Sequence, residues 1–180
     1  MSLMLQRVVL SFLRRTAAFR KLYVDFNEVV ADVKGAWSEI LPNYKNNWTL
    51  FFDKLKIIPA EDLALRIQFY PGGRELWNGL KEYSPEILSG TKEGAPSWYV
   101  DKSQKVKELW VRKNLGSGNI VRQTLSNDKS AHAMTGDISN ILIDDSPDKI
   151  QQWESAGGIG ILHKGNAKAT IDKIREIMAM

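Results

Sequence analysis

The sequence contains no cysteine, which excludes disulfide bonds, thiolate metal ligands and cysteine nucleophiles. Histidine is nearly as scarce: the chain has His132 and His163, and neither has an evident catalytic partner. No apolar run approaches the roughly 18 residues of a membrane-spanning helix, so we expect no membrane partner. A chain without cysteine is compatible with a reducing compartment, and we expect a cytoplasmic protein.

Acidic side chains are absent from residues 1–24, which carry five of the 25 basic side chains. The remainder of the chain is therefore close to neutral, and we expect no nucleic-acid-binding face on the main domain. We assign residues 1–21 as a basic N-terminal segment, a leading strand or helix that packs its apolar residues on the domain. A mitochondrial targeting helix is the alternative, and in a third interpretation the initial "MSL" is a cloning remnant.

Short apolar runs alternate with longer segments of helical period, which predicts an α/β fold with a parallel sheet covered by helices. The length of 180 residues suits one domain with a sizeable core. The predicted strands are residues 21–26, 85–90, 119–125, 140–145 and 158–163. The predicted helices are residues 73–84, 103–116 with Ser103 as N-cap, 147 to about 155, and 166–180. Three tryptophans at helical positions are expected in the core: Trp77, Trp110 and Trp153.

Residues 33–70 interrupt this alternation between the first strand and the helix that returns to the sheet. An insertion of this size predicts a small helical cap, with residues 22–32 and 71–180 forming the core domain. The insertion is rich in aromatic residues, most of which should build its own core. Three of them are the candidates for stacking on a ligand: Trp37, Trp48 and Phe52.

Polar side chains follow four of the predicted strands, at the edge of the sheet where ligands bind in open parallel sheets. They are Asp25 and Asn27 after the first strand, Ser89 and Gly90 after the second, Asn127, Asp128 and Lys129 after the third, and Asp144 and Asp145 after the fourth. Carboxylates that meet in one crevice repel each other unless a cation lies between them. Hard oxygen ligands completed by water suit Mg²⁺.

The same group of residues suits phosphoryl transfer. A hydroxyl, a backbone amide and a lysine complement the negative oxygens of a phosphoryl group. A carboxylate can serve as the covalent nucleophile. The predicted chemistry is therefore the transfer of a phosphoryl group from a small-molecule phosphate ester.

The segments "DFNEVVAD", "LSG", "DK" and "LIDDSPDKIQQW" resemble the four signature motifs of the haloacid dehalogenase superfamily of phosphohydrolases. More narrowly, "PGGRELWNGL", "LWVRKNLG", "TLSNDKS" and "ILIDDSPD" are similar in order and spacing to the 5'(3')-deoxyribonucleotidases. The resemblance covers roughly residues 22–165. It implies a three-layer, Rossmann-like parallel sheet with a small helical cap after the first strand, and a nucleoside monophosphate as substrate.

The resemblance implies that Asp25 is the nucleophile and also a magnesium ligand. Asn27 stands where the family has a general acid/base aspartate, whose backbone carbonyl additionally binds the metal. Asp144 and Asp145 would complete the magnesium site, and which of the two ligates directly stays open.

The phosphate group has its own set of implied partners. Ser89 and the Gly90 amide would hold the phosphoryl oxygens, and Asn127 is a further candidate for binding phosphate or substrate. Lys129 would neutralise the nucleophile and the phosphate. Among the aromatic candidates, Trp37, Trp48 and Phe52 would stack on the base, whereas Val33 stands where the deoxyribonucleotidases carry an aromatic residue.

Three further polar residues are expected to take no part in the reaction. Asp32 is expected to be the N-cap of the first cap helix. Lys105 and Lys107 are alternatives to Lys129 for the lysine role, but their place on a predicted helix favours solvated side chains.

Asn27 keeps the size and the backbone carbonyl of an aspartate but cannot carry a proton. Since general acid/base help is typically worth about 10²–10⁴-fold, slow turnover of ordinary phosphomonoesters is expected. The asparagine is an experimenter's substitution, a natural feature of a slow or binding-only protein, or a sign of a substrate whose leaving group needs no proton. The rival function is a nucleotide- or phosphate-binding protein with a regulatory role, and a homodimer is compatible with either.

Overall fold

The computed structural model describes residues 20–179, except for the side chains of Ser126 and Asn127. The basic segment assigned to residues 1–21 therefore lies outside the described residues, apart from Arg20 and Lys21. The prediction that Asn127 binds phosphate or substrate also concerns a side chain outside them. Both remain predictions.

The described chain alternates strands and helices as the sequence pattern predicts. The strands are β1 (Leu22–Val24), β2 (Ala31–Asp32), β3 (Gln68–Phe69), β4 (Glu86–Thr91), β5 (Val121–Leu125), β6 (Met134–Thr135), β7 (Ile138–Ser139), β8 (Ile141–Asp144) and β9 (Ile159–Leu162). The α-helices are α1 (Val33–Ile40), α2 (Trp48–Ile57), α3 (Ala60–Arg66), α4 (Gly73–Leu80), α5 (Ser97–Asn114), α6 (Pro147–Ser155) and α7 (Ala167–Met178). Short 3-10 helices cover Tyr44–Asn46, Lys81–Tyr83 and Ser126–His132. Within residues 20–179, no helix is both long and apolar enough to cross a membrane.

A five-stranded parallel sheet forms the centre of the molecule, in the order β5-β4-β1-β8-β9. Strands β1 and β8 are buried along their whole length, as expected for a parallel sheet whose two faces are covered by helices. The predicted α/β fold is confirmed. Because the strands are parallel, β1, β4, β5 and β8 deliver their carboxyl ends to one edge of the sheet.

The three tryptophans expected in the core are buried there. Trp77 and Trp110 are 1% exposed and Trp153 is fully buried. The Trp110 indole N–H donates to the carbonyl of Ile67 at 2.9 Å, and the Trp110 ring meets the Phe26 ring edge-on at a centroid distance of 5.1 Å. Trp110 therefore joins α5 both to the segment after β1 and to the end of the inserted helices.

Helix α5 begins earlier than its sequence pattern predicts. It starts at Ser97 with Pro96 as N-cap, so the prediction of Ser103 as N-cap is wrong. Pro96 has φ −57° and ψ 143°, the extended backbone conformation that is typical of an N-cap residue. The additional turns carry Trp98 and Tyr99, whose rings both contact Phe52 of α2. Tertiary contacts thus extend the helix beyond its periodic part.

Residues 33–70, here called the helical insertion, form helices α1, α2 and α3. Their two ends are joined by the antiparallel pair of β2 and β3, with Ala31 opposite Phe69 and Asp32 opposite Gln68. Asp32 is the N-cap of α1, as predicted, because its carboxylate accepts the backbone N–H of Gly35 at 2.8 Å. The β2–β3 pair, here called the neck, therefore joins the two ends of the insertion.

The helical insertion is also fixed to α5 by the side chain of Lys102. The Lys102 ammonium donates to the carbonyls of Leu55, Lys56 and Ile58 at 2.7, 3.0 and 2.7 Å. These carbonyls lie at the C-terminus of α2, where the last turn has no intrahelical donors and attracts cations. One lysine of the core domain thus caps a helix of the insertion.

Candidate active site

Three carboxylates converge at the carboxyl ends of β1 and β8. Asp25 follows β1 and is 5% exposed, Asp144 ends β8 and is 1% exposed, and Asp145 is half-buried. The Asp25 backbone N–H donates to the carbonyl of Ile143 at 2.8 Å, which ties the chain leaving β1 to β8. One ligand oxygen from each of these residues, here called the carboxylate cluster, lies within 4.8 Å of the others.

Lys129 places a positive charge inside this cluster. Its ammonium is buried and donates to Asp25 Oδ1 at 2.6 Å and to Asp144 Oδ2 at 2.7 Å. It comes from the 3-10 helix that follows β5, at the far edge of the sheet. Burial acts to lower the pKa of Lys129, but Asp25 and Asp144 outweigh it and raise the pKa above its ordinary value. Lys129 therefore remains a cation.

The three carboxylates outnumber the lysines at the cluster, which are Lys129 and Lys34, the latter 4.0 Å from Asp145. Burial, against the opposing effect of Lys129 and with a contribution from Asp144, raises the pKa of Asp25 to about 7. Burial and Asp144 also raise the pKa of Asp145. A divalent cation reverses such shifts because it favours the ionised carboxylates. The donor set of hard carboxylate oxygens fits Mg²⁺.

Asn27 lies beside the carboxylate cluster in the loop after β1. Its buried Oδ1 atom has no hydrogen-bond partner among the side chains and backbone groups that the structure describes. Its backbone forms an isolated bridge with Ala31, which closes the loop. The loop thus presents a neutral amide, which does not transfer protons, at this position.

Glu28 is a residue of this loop that the sequence analysis does not single out. Its φ of +56° lies in the left-handed region, which is uncommon for residues with a β-carbon. Its carboxylate accepts the Lys34 backbone N–H at 2.8 Å and contacts the Lys34 ammonium at 3.1 Å. These contacts stabilise the left-handed turn that directly follows Asn27.

The end of β4 presents small residues and unpaired hydroxyls. Ser89 is fully buried, and neither its Oγ atom nor Thr91 Oγ1 has a hydrogen-bond partner among the described groups. Leaving a buried hydroxyl unpaired typically costs about 1–3 kcal/mol. With Gly90 between them, these hydroxyls form a cradle suited to the oxygens of a ligand.

A cavity of about 200 Å³ adjoins this cradle. Asn27 and Gly90 line it from the core domain, and Trp37 and Trp48 line it from the helical insertion. Two of the three aromatic candidates therefore lie at the cavity. Phe52 is outside the lining, and its ring contacts Trp48, Trp98 and Tyr99 instead.

The two lysines of α5 that were expected to be solvated differ in their burial. Lys105 is exposed and pairs with Glu61 at 2.9 Å. Lys107 is 5% exposed, lines the cavity and donates to Gln123 Oε1 at 3.1 Å, so the prediction of a solvated Lys107 is wrong. The reason is its place in the buried stripe of α5, which comprises Ser103, Val106, Lys107, Trp110 and Val111.

The chain is an α/β protein with an acidic cluster and a buried lysine at the carboxyl edge of a parallel sheet. No protein-family model and no curated protein matches the chain. Among solved structures it is similar to a haloacid dehalogenase-like family hydrolase from Streptococcus pneumoniae, at a TM-score of 0.51 and 9% identity, over 86% of this chain and 90% of that one. It is also similar to a HAD phosphatase from Thermococcus onnurineus, at a TM-score of 0.52 and 11% identity, over 89% and 98% of the respective chains. The chain therefore has the Rossmann-type fold of the haloacid dehalogenase-like hydrolases.

Proposed function

We propose that this chain is a magnesium-dependent phosphohydrolase that acts through a phospho-aspartyl intermediate on Asp25. The observation that carries the proposal is the buried contact of Lys129 with both Asp25 and Asp144, beside the unpaired hydroxyl of Ser89. An ion pair that only stabilised the fold would require neither a third carboxylate nor buried hydroxyls without hydrogen-bond partners. A site that binds a cation and a phosphoryl group uses the carboxylates for the cation and the hydroxyls for the phosphoryl oxygens.

In the proposed reaction, the contacts of each residue determine its role. Asp25 attacks phosphorus, and Lys129 favours the ionised form of this carboxylate and neutralises the incoming phosphate. Ser89 and the Gly90 N–H hold the phosphoryl oxygens, with Asn127 as a further partner. Asp25, the Asn27 carbonyl, Asp144 and Asp145 would hold the metal. Bound Mg²⁺ supplies positive charge that offsets the negative charge of the phosphoryl group.

For the substrate we propose a nucleoside monophosphate, in keeping with the motifs similar to those of the deoxyribonucleotidases. The cavity is lined by aromatic rings from the helical insertion, which we propose as the cap of the core domain. Trp37 and Trp48 offer faces on which a base can stack, a contact worth about 1–3 kcal/mol per base in nucleic-acid-binding proteins. Phe52 would act indirectly, by packing against Trp48.

The second candidate function is a regulatory protein that binds nucleotides or phosphate and turns them over weakly. Asn27 is the observation that favours it, because the amide leaves the metal and phosphate groups intact and removes the proton carrier. Both functions predict the same ligand and differ in rate.

The experiment that separates them is an assay of this chain and its Asn27→Asp variant with Mg²⁺, against nucleoside monophosphates and an aryl phosphate. We expect the variant to turn over nucleotides at least about tenfold faster, because it gains a carboxyl group that can take part in general acid/base catalysis. Asp25→Asn is the matched control, since it changes a neighbouring carboxylate to an amide and should abolish all activity. Nucleotide binding without turnover in either form supports the regulatory protein, and activity that survives Asp25→Asn refutes the nucleophile.

A further inference from the structure

Lys107 is a buried cationic side chain for which the proposed reaction has no use. It lies on the apolar stripe of α5 and is 5% exposed. Burying an unpaired ammonium is costly, and hydrophobic residues occupy most of this stripe. Its partner is the neutral side-chain oxygen of Gln123, at 3.1 Å. Gln123 stands opposite Ser89 in the pairing of β4 with β5, so Lys107 lies beside the phosphate cradle.

The two buried lysines of this site are in opposite electrostatic environments. Lys129 contacts two carboxylates, whereas no carboxylate among residues 20–179 forms an ion pair with Lys107. Burial therefore dominates and lowers the pKa of Lys107 to about 7, with Asp25 acting to raise it and Lys129 to lower it. The other titratable groups that line the same cavity are Glu28, Lys34, Tyr44, Lys92 and Tyr99. Groups whose pKa values are pushed apart in this way identify acid/base roles.

Lys107 also lines the same cavity as Asn27, the residue at the position where the resemblance implies a general acid/base aspartate. Asn27 and Lys107 both line the space of about 200 Å³ that adjoins Gly90. Gly90 and Thr91 of the cradle line this same space, so it can receive the leaving group of a substrate whose phosphoryl group lies in the cradle. A proton donor is required there, and the Asn27 amide is not one.

We propose that Lys107 carries the proton in this site, giving it to the leaving group and later taking one from water. The proposal rests on the proposed phosphohydrolase function. As Asp25 forms its bond to phosphorus, the bond from phosphorus to the leaving oxygen breaks, and that oxygen takes a proton from the Lys107 ammonium. The neutral Lys107 amine then accepts a proton from the water that attacks phosphorus. The bond from phosphorus to Asp25 breaks, and alcohol and inorganic phosphate are released.

A different role, a fixed charge that holds phosphoryl oxygens, predicts another behaviour on substitution. Arginine keeps the charge and the hydrogen-bonding capacity but does not release its proton. Lys107→Arg should therefore preserve a purely electrostatic role and abolish proton transfer. Lys107→Met, which removes the charge, should impair both.

The test measures kcat and KM with Mg²⁺ for phosphate esters of increasing leaving-group basicity, from an aryl phosphate to an alkyl phosphate. For Lys107→Arg we expect kcat to fall about 10²–10⁴-fold on the alkyl ester and less than about threefold on the activated aryl ester, with KM nearly constant. Asn27→Asp in the Lys107→Arg background should restore the alkyl ester. Lys105→Arg, two residues away on the exposed face of α5, is the matched control.

Two further measurements follow the proton itself. In the unsubstituted chain, kcat/KM for the alkyl ester should decline as the pH rises through about 7, since the ammonium form is required, and this decline should vanish in Lys107→Arg. In ¹³C-lysine-labelled protein, the Cε signal that Lys107→Arg removes should titrate with a midpoint near 7 rather than near the usual value of about 10.4. Binding of inorganic phosphate with unchanged affinity shows that the variant is folded.

The outcomes separate this proposal from the proposed function. A loss that is equal for all leaving groups, no loss in Lys107→Arg, or a Lys107 midpoint near the usual value overturns the proton-carrier role and leaves the phosphohydrolase intact. Absence of turnover in both the chain and its Asn27→Asp variant overturns the phosphohydrolase and, with it, this role.

Discussion

Lys129 lies between Asp25 and Asp144 with all three side chains buried. Removing one partner of a buried ion pair leaves uncompensated charge and typically costs about 3–5 kcal/mol. Lys129 acts to lower the pKa of Asp25, against the larger effect of burial. In the proposed function, this contact favours the ionised form of the nucleophile.

Lys129→Met should lower the free energy of unfolding by about 3–5 kcal/mol in a metal-free buffer, since two carboxylates then face each other without a cation. Mg²⁺ should recover part of this loss by occupying the carboxylate cluster. Urea unfolding with a chelator and with Mg²⁺ measures both effects. Lys105→Met, which removes an exposed ion pair with Glu61, is the control and should cost less than about 1 kcal/mol. Equal losses in the two variants would refute this account.

At the residue scale, the sequence predicts the residues at the strand ends and misses those defined by tertiary contacts. Asp25, Asp144 and Lys129 follow apolar runs, so their convergence can be anticipated from the parallel topology alone. Lys107 is misjudged because a charged residue on a helix is usually solvated. Its spacing from Val106, Trp110 and Val111 in the buried stripe is the signal that could have found it. The left-handed turn at Glu28 has no such signal, since glutamate rarely adopts it.

At the scale of elements, the five strands of the central sheet are predicted within one or two residues of their observed ends because apolar runs are strong signals. The two-residue strands β2, β3, β6 and β7 are not predicted. The start of α5 is missed by six residues, because its first turns are stabilised by Phe52 of the helical insertion rather than by their own periodicity. Internal contacts of the insertion are of the same kind. The rings of Trp37, Tyr44 and Phe51 form one aromatic group. The composition of the insertion predicts an aromatic core but not which rings contact each other.

Lys102 provides a test at this scale, because its ammonium caps α2 from α5. Lys102→Met should lower the free energy of unfolding by about 1.5–3 kcal/mol, the usual range for a hydrogen bond to a charged group. It should also speed hydrogen exchange in the last turn of α2. Lys113→Met, at an exposed position of the same helix, should change neither. Exchange that accelerates evenly over the whole molecule would show that Lys102 does not fix α2 specifically.

At the scale of the whole molecule, the carboxylate cluster links stability to pH and to metal. Burial raises the pKa of Asp25 to about 7 in the folded protein, whereas an unfolded aspartate titrates near 3.9. The stability that this group contributes is therefore fully present below about pH 4 and is lost as the pH rises through about 7. A bound cation favours the ionised form and opposes that loss.

Asp25→Asn should accordingly become more stable relative to the unsubstituted chain as the pH rises from about 5 to about 8 in a metal-free buffer. The difference should grow by at most about 1.4 kcal/mol per pH unit, the limit for one proton. It should shrink when Mg²⁺ is added, because the cation stabilises the unsubstituted site. Urea unfolding of both forms across this range measures it, with the exposed Asp53→Asn as control. A difference that is flat with pH, or that falls as the pH rises, contradicts the raised pKa.

The neck of the helical insertion, formed by β2 and β3, allows the insertion to be exchanged during evolution. Because β2 and β3 place Asp32 opposite Gln68, the insertion enters and leaves the core domain at neighbouring points, about 5 Å apart in a paired ladder. A segment whose two ends are adjacent can be replaced by another segment without changing the order or register of the strands in the central sheet. Recombination at this neck would exchange the aromatic lining that Trp37 and Trp48 give the cavity, while the carboxylate cluster at the sheet edge stays in place.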